Sequence, residues 1–131
     1  MNCIDCSLSD FLDSYTRAFD KKDMDAILEH FYYPCLLITS QSVIASKNKE
    51  EMHETIKRYS RYIAGGQIAH KTTYALKSLY PLDDNNLIIS LLWRITDKSG
   101  PEISKFHCNY QLIQKQQTYK IVVIMLPEEK F

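Results

Sequence analysis

The sequence predicts an α+β domain in which three N-terminal helical segments cover one face of an antiparallel sheet. Three observations lead there. Apolar residues recur at three- and four-residue spacing between Ser7 and Ile63, the mark of helices buried along one side. After Gly65-Gly66 the chain changes to four long runs rich in β-branched and aromatic residues. Only short turn segments separate those runs, which makes neighbouring strands antiparallel hairpins. The expected order is α-α-β-β-α-β-β-β-β, one domain over residues 1–131 with residues 1–6 a flexible tail.

Ser7 is placed to cap the first helix, with Asp10 three residues on in the manner of a capping box. Its buried stripe is Leu8, Phe11, Leu12, Tyr15, Ala18 and Phe19. "DKKD" breaks it, and Asp23 caps a second, short helix with Ile27 and Phe31 inward. Pro34 ends that helix by disfavouring helical geometry at Tyr33. "CLLIT" and "SVIA" then read as two short strands around a turn. Asn48 and Glu51 open the third helix, whose stripe is Met52, Ile56, Tyr59 and Ile63 with Tyr62 beside it. Gly65-Gly66 stops it by offering left-handed backbone. "QIAHKTTYALKSLY", "NLIISLLWRIT", "ISKFHCNYQLIQ" and "TYKIVVIML" follow as strands, punctuated by "PLDDNN", "DKSGPE" and "KQQ".

Alternation sorts the strand residues onto two faces. Ile68, His70, Thr72, Tyr74 and Leu76 share one parity; Leu87, Ile89, Leu91, Trp93 and Ile95 another; Phe106, Cys108, Tyr110 and Leu112 a third, and these are assigned toward the helices. The opposite face carries Lys71, Lys77, His107, Asn109 and Gln111, with Ile88, Leu92, Val122 and Ile124 on or near it. A sheet apolar on both sides is covered on both sides. No helix is left over, so a second copy of the chain is the expected cover.

Composition narrows the function. Sixteen basic residues balance 16 acidic ones, which argues against a nucleic-acid surface. No apolar run reaches the roughly 18 residues that span a bilayer, and "MNCIDCSLSD" lacks the basic start and apolar core of a secretory signal. Cys35 and Cys108 lie in apolar runs as small hydrophobes, and the Cys3/Cys6 pair lacks the second pair that tetrahedral zinc wants. A reducing cytoplasm follows as the expected location. Neither a metal nor a cofactor is expected.

The spacing Y-x-x-A-F-x-x-x-D-x-D-A-I from Tyr15 to Ile27, a strand soon after Phe31, and "GGQIAHKTTY" leading into a meander resemble the nuclear transport factor 2-like superfamily. That superfamily includes ketosteroid isomerase, scytalone dehydratase and SnoaL-type cyclases. The resemblance covers Ser7 to Pro127. It implies a cystatin-like curved sheet that, with the helices, forms a cone around an apolar cavity. Carried over residue by residue from ketosteroid isomerase-like members, the helix-one tyrosine falls at Tyr15. The carboxylate base falls at Thr39, or Ser40 if the turn slips, and the protonated acid falls at Cys108. Neither a hydroxyl nor a thiol can do those two jobs unaided, so carboxylate-dependent isomerisation is not expected.

The 16 acidic side chains all fall at helix starts, on polar helix faces, in turns or in the termini, which leaves the cavity wall without a carboxylate. His70, inward beside Tyr74, is then the candidate acid–base group, with Tyr15 as its partner. The competing reading makes it a buried histidine hydrogen-bonded to a tyrosine hydroxyl or to backbone. His107 points outward, and His30 and His53 lie on exposed helix faces. Tyr15, Tyr59, Tyr74 and Tyr110 share inward parity, and converging phenols in an apolar setting are how many small-ligand sites are built. The expected ligand-binding set is Tyr15, Phe19, Phe31, Thr39, Tyr59, His70, Trp93, Cys108 and Tyr110, although the same residues could equally fill the cone as core.

Three functions fit. The first is a cytoplasmic homodimer that binds a small, largely apolar molecule. The second is a hydratase, isomerase or cyclase using His70 with Tyr15. The third is a non-catalytic assembly or partner-binding domain acting through the outer sheet face.

Overall fold

The computed structural model describes residues 4–63, 70–97 and 100–126, with side chains at 7–58, 71–97, 100–102 and 104–126. The elements follow in the expected order: α1 (Ile4–Asp20), α2 (Met24–Leu28), β1 (Phe31–Ile38), β2 (Val43–Ser46), α3 (Lys49–Ile63), β3 (His70–Pro81), β4 (Asn86–Asp97), β5 (Glu102–Lys115) and β6 (Thr118–Met125). The six strands form one sheet in the order β2-β1-β6-β5-β4-β3. Every pair joined by a turn is antiparallel, as expected of hairpins, while β1 lies parallel to β6 and makes the sheet mixed.

α1 starts at Ile4, so Cys6 and Ser7 belong to the helix and Ser7 is not its cap. Nothing in Ile4–Cys6 breaks a helix, and extending an existing helix gains a bond for each residue fixed. The remainder of the expected tail, residues 1–3, lies outside the described residues. The helix buries Leu8, Phe11, Leu12, Tyr15, Ala18 and Phe19, the stripe its spacing predicts. It ends in a Schellman arrangement: Asp23 N–H reaches Ala18 O at 3.0 Å, Lys22 N–H reaches Phe19 O at 3.0 Å, and Lys22 takes φ 54°. A lysine occupies the left-handed position where glycine is usual, at a cost of about 1–2 kcal/mol.

Asp23 caps α2 as expected, its carboxylate accepting from Ala26 N at 3.2 Å. α2 is shorter than expected. It ends at Leu28, and Phe31 begins β1 instead of facing inward from a helix. The cause is tertiary: His30 O accepts from Ile121 N at 2.9 Å, and Phe31 pairs with Ile121. Pro34 therefore does not end a helix; it sits inside β1, where the register shifts between Phe31 and Leu36 and no ladder N–H is needed. α3 opens as expected, with Asn48 Oδ1 accepting from Glu51 N at 2.9 Å, while Glu51 reaches back to Lys47 N at 2.7 Å. Met52 and Ile56 are buried; the side chains of Tyr59, Tyr62 and Ile63 lie outside the described residues.

The helices cover one sheet face. Leu87, Ile89, Leu91, Trp93 and Ile95 are buried there with Cys108, Tyr110, Leu112, Tyr119 and Ile121. Leu76 pairs with Leu91 on that side but is 43% exposed on the outermost strand. Ile124, expected outward, points inward. The β5–β6 register shifts between Gln111 and Leu112, and the extra residue on β6 returns Ile124 to the side of its partner Tyr110. Leu92 keeps outward parity beside His107 and Ala75 yet is only 6% exposed.

The ladder aligns one outward row across all six strands: Ala45, Leu36, Val123, Gln111, Ile88 and Tyr80. A second row runs Val43, Ile38, Met125, Asn109, Ser90 and Ser78. Apolar side chains dominate the β1–β6 half, and uncharged polar ones gather on β5.

Candidate functional site

Inside the cone the aromatic residues meet edge to face, with Trp93 tilted against Tyr15. Tyr15 is the hub, with ring centroids 4.9 Å from Phe19, 6.0 Å from Phe31, 6.1 Å from Trp93 and 6.4 Å from Tyr110. Trp93 Nε1–H donates to the Tyr110 hydroxyl at 2.9 Å, a fully buried bond. Burial pushes both phenols well above the ordinary tyrosine value, and the neighbouring Cys108 adds to that rise. Burial likewise pushes Cys35 and Cys108 up to about 12. These groups stay protonated at neutral pH, so neither thiol is a ready nucleophile.

Among the described residues two small voids lie beside these rings. One of about 30 Å³ is lined by Tyr15, Phe19, Phe31, Cys108 and Tyr110 among others, and one of about 20 Å³ by Tyr15, Phe19, Thr72, Trp93, Phe106 and Tyr110. Each has room for roughly one water, against about 300–1,000 Å³ for a ligand pocket. The hollow expected of this scaffold is, among the described residues, packed by its own rings. Thr72 Oγ1, buried without a hydrogen-bond partner, faces the smaller void. Neither void has a carboxylate among its described lining residues.

Of the expected ligand-binding set, Tyr15, Phe19, Phe31, Trp93, Cys108 and Tyr110 do converge here. Thr39 does not. Its Oγ1 accepts from Gln41 N at 3.2 Å and Ser42 N at 3.0 Å, so it builds the β1–β2 turn where an isomerase-like base would have stood. Tyr59 and His70 have side chains outside the described residues. Tyr74 sets its ring 5.8 Å from Trp93, but its hydroxyl turns out to Asp13 Oδ1 at 2.8 Å, away from the other phenols. Among the described residues no cluster of three or more His, Cys, Asp or Glu could hold a metal, and no helix is long and apolar enough to cross a membrane.

The larger cavity lies outside the cone. About 360 Å³ opens between the flank of α1 (Ser7, Asp10, Phe11, Ser14), the α2–β1 corner (Glu29, His30) and the start of β6 with its turn (Gln117, Thr118, Tyr119, Lys120). His30 is half-buried here, not on an exposed helix face as expected, because α2 has already ended. Its Nδ1 lies 2.7 Å from Ala26 O and its Nε2 2.9 Å from Ser14 Oγ. A carbonyl can only accept, so Nδ1 carries the proton and, in the neutral ring, Nε2 accepts from the serine. Burial holds His30 below the usual 6.5, with Lys120 adding to that effect and the Ala26 bond opposing it. The ring packs against Phe11 and Tyr15, with centroids 5.3 and 5.4 Å away. Nothing in the sequence spacing announces this pair: 16 residues separate the two, and a helix continued through His30 would turn the ring elsewhere.

A family profile described as NTF2-like protein (DUF6841) matches residues 5–129. No curated protein matches the sequence. Among solved structures, an NTF-2 like protein of unknown function from Shewanella oneidensis MR-1 is similar, with TM-score 0.72 and 12% identity over 96% of this chain and 100% of that one. A ketosteroid isomerase-like protein from Erwinia carotovora atroseptica SCRI1043 gives TM-score 0.67 at 12% identity, over 96% of each chain. A protein from Thiobacillus denitrificans ATCC 25259, assigned as a calcium/calmodulin-dependent protein kinase type II association domain, gives 0.69 at 7%, over 92% and 93%. Identities this low speak for the fold alone, whereas the family match spans nearly the whole chain. The chain belongs to the NTF2-like protein family DUF6841.

Proposed function

We propose that this chain is an assembly domain that pairs with a second copy of itself through the outer sheet face, its cone serving as packed core. The observation that carries this reading is the mismatch between the two sides of the sheet. Among the described residues, the helix-covered side retains voids of about 30 and 20 Å³, whereas the other side presents a largely apolar row with no described helix over it. Val43 at 69% and Tyr80 at 66% exposure are large apolar groups on that face. The row spans five strand spacings, about 24 Å.

Self-pairing suits its chemistry. Asn109 and Gln111 each carry donors and acceptors, so a two-fold axis near β5 lets each amide bond its own counterpart. The similar protein assigned as an association domain is consistent with this use of the scaffold. Small-molecule binding inside the cone would need the ring cluster around Tyr15 to open. Cys35 and Cys108, both free and buried, suit the reducing cytoplasm in which we place the domain.

Light scattering on the parent and on Val123→Glu tests the assignment. The parent should run at twice 15.3 kDa and Val123→Glu at 15.3 kDa. Tyr80→Glu, exposed and so harmless to the monomer, should weaken the pair in the same direction. A parent that stays at 15.3 kDa at every concentration, or a Val123→Glu dimer as tight as the parent's, overturns it.

A further inference from the structure

We propose that Ser14 and His30 form a nucleophile–base dyad that accepts the acyl group of a small carboxylic ester entering the cleft between α1 and the β5–β6 turn. This site is separate from the cone and from the outer sheet face. Three features carry it. The Ser14 Oγ to His30 Nε2 distance of 2.9 Å lies within the reach a general base needs. The far side of the ring is fixed by the Ala26 carbonyl at 2.7 Å, so the nitrogen facing the serine is the one with the free electron pair. Both groups line a cleft of about 360 Å³, enough for a small acyl group and its alcohol.

The surroundings agree. Ser14 sits on α1, and His30 is tied by its backbone to Ile27 O at 3.1 Å and to Ile121 N at 2.9 Å, so both stand on fixed elements. The cleft rim includes Gln117, which with Gln116 takes positive φ (70° and 50°) in a turn where Asn-Gly is the usual choice. Backbone strain held by non-glycine residues tends to collect at functional sites.

The steps balance. Ser14 Oγ bonds to the acyl carbon as its proton passes to His30 Nε2, leaving a tetrahedral oxyanion. Lys120, held on the Glu29 carbonyl, is the cation among the lining residues that can face that charge. The intermediate collapses, the bond to the alkoxy oxygen breaks, and the imidazolium proton leaves with the alcohol. Water, deprotonated by Nε2, then attacks the acyl-serine, and Ser14 recovers its proton as the acid departs. Ester and water become acid and alcohol.

The titratable groups around His30 come from every neighbouring element: Asp10 and Tyr15 on α1, Glu29 at the corner with its partner Lys49 from α3, and Tyr119 and Lys120 on β6. Of these charges Lys120 lowers the His30 pKa and Glu29 raises it, both weaker than burial. The test uses p-nitrophenyl acetate on the full chain, read by peptide mass mapping. One acetyl group should appear on Ser14, with a rate that climbs with pH through a value below 6.5 and then levels. Ser14→Ala should remove that acetylation. His30→Asn, whose amide can still donate to the Ala26 carbonyl, should slow it roughly 10²–10⁴-fold while the protein stays folded. Acetylation confined to lysines, or a Ser14 rate unchanged in His30→Asn, overturns the proposal and leaves the pair a structural tie.

Discussion

Tyr110→Phe distinguishes a packed cone from a hollow one. In the structure the Tyr110 hydroxyl is already engaged, accepting from Trp93 Nε1 at 2.9 Å in a fully buried setting. Removing it leaves the indole N–H buried without an acceptor. A donor stranded this way costs about 1–3 kcal/mol, well above the small loss of packing from one oxygen. For 131 residues, an unfolding entropy of about 2.1 cal/mol/K per residue sums to about 0.28 kcal/mol/K. The midpoint of thermal unfolding should therefore fall by roughly 4–11 °C. Calorimetry and urea titration on the parent, Tyr110→Phe, Trp93→Phe and the double variant give the full cycle. A coupling of about 1 kcal/mol between the two positions is expected, since losing both partners removes the stranded donor. Were Tyr110→Phe within about 0.5 kcal/mol of the parent, water or a ligand would have to reach Trp93, and the packed interior would be wrong.

Two further outcomes follow from the same geometry. Cys35 and Cys108, buried and pushed up to about 12, should stay unlabelled by a thiol reagent at pH 8 in the native protein and react once urea unfolds it; labelling in the native state would mean the core opens. Thr39→Ala should cost about 1 kcal/mol in urea titration by freeing the Gln41 and Ser42 amides, whereas Thr39→Ser, which keeps an acceptor oxygen, should recover most of it.

Periodicity carried the elements and most of the core into the sequence, because each depends on neighbours a few residues away. Leu8 through Phe19 on α1 and Leu87 through Ile95 on β4 are buried as their spacing requires. What the sequence hid is non-local. α2 stops at Leu28 because His30 and Phe31 are claimed by Ile121, some 90 residues later, and no local rule contains that. The bulge in β6 reverses the face of Ile124, a one-residue event that alternation alone cannot place. The interior was legible in its residue types but not in its volume. Tyr15, Phe19, Phe31, Trp93 and Tyr110 could line a chamber or fill it, and alternation says nothing about the distances between their rings.

Among the described residues the rings leave little room inside the cone, which shifts where function has to be sought. A cone packed by rings leaves α1 two separate duties on adjacent residues. Tyr15 faces inward and holds the aromatic cluster, while Ser14, one residue earlier and about 100° around the helix, faces the lateral cleft and His30. Because the two directions diverge, Ser14→Ala removes an oxygen from the cleft and no contact from the ring cluster. Tyr110→Phe does the reverse, so each variant reports on one region. His30 is the point of contact between them, since its ring touches both Phe11 and Tyr15 at 5.3 and 5.4 Å. A change of charge at His30 would therefore be felt by the core as well as by the cleft, and its low pKa keeps the neutral form in place near pH 7.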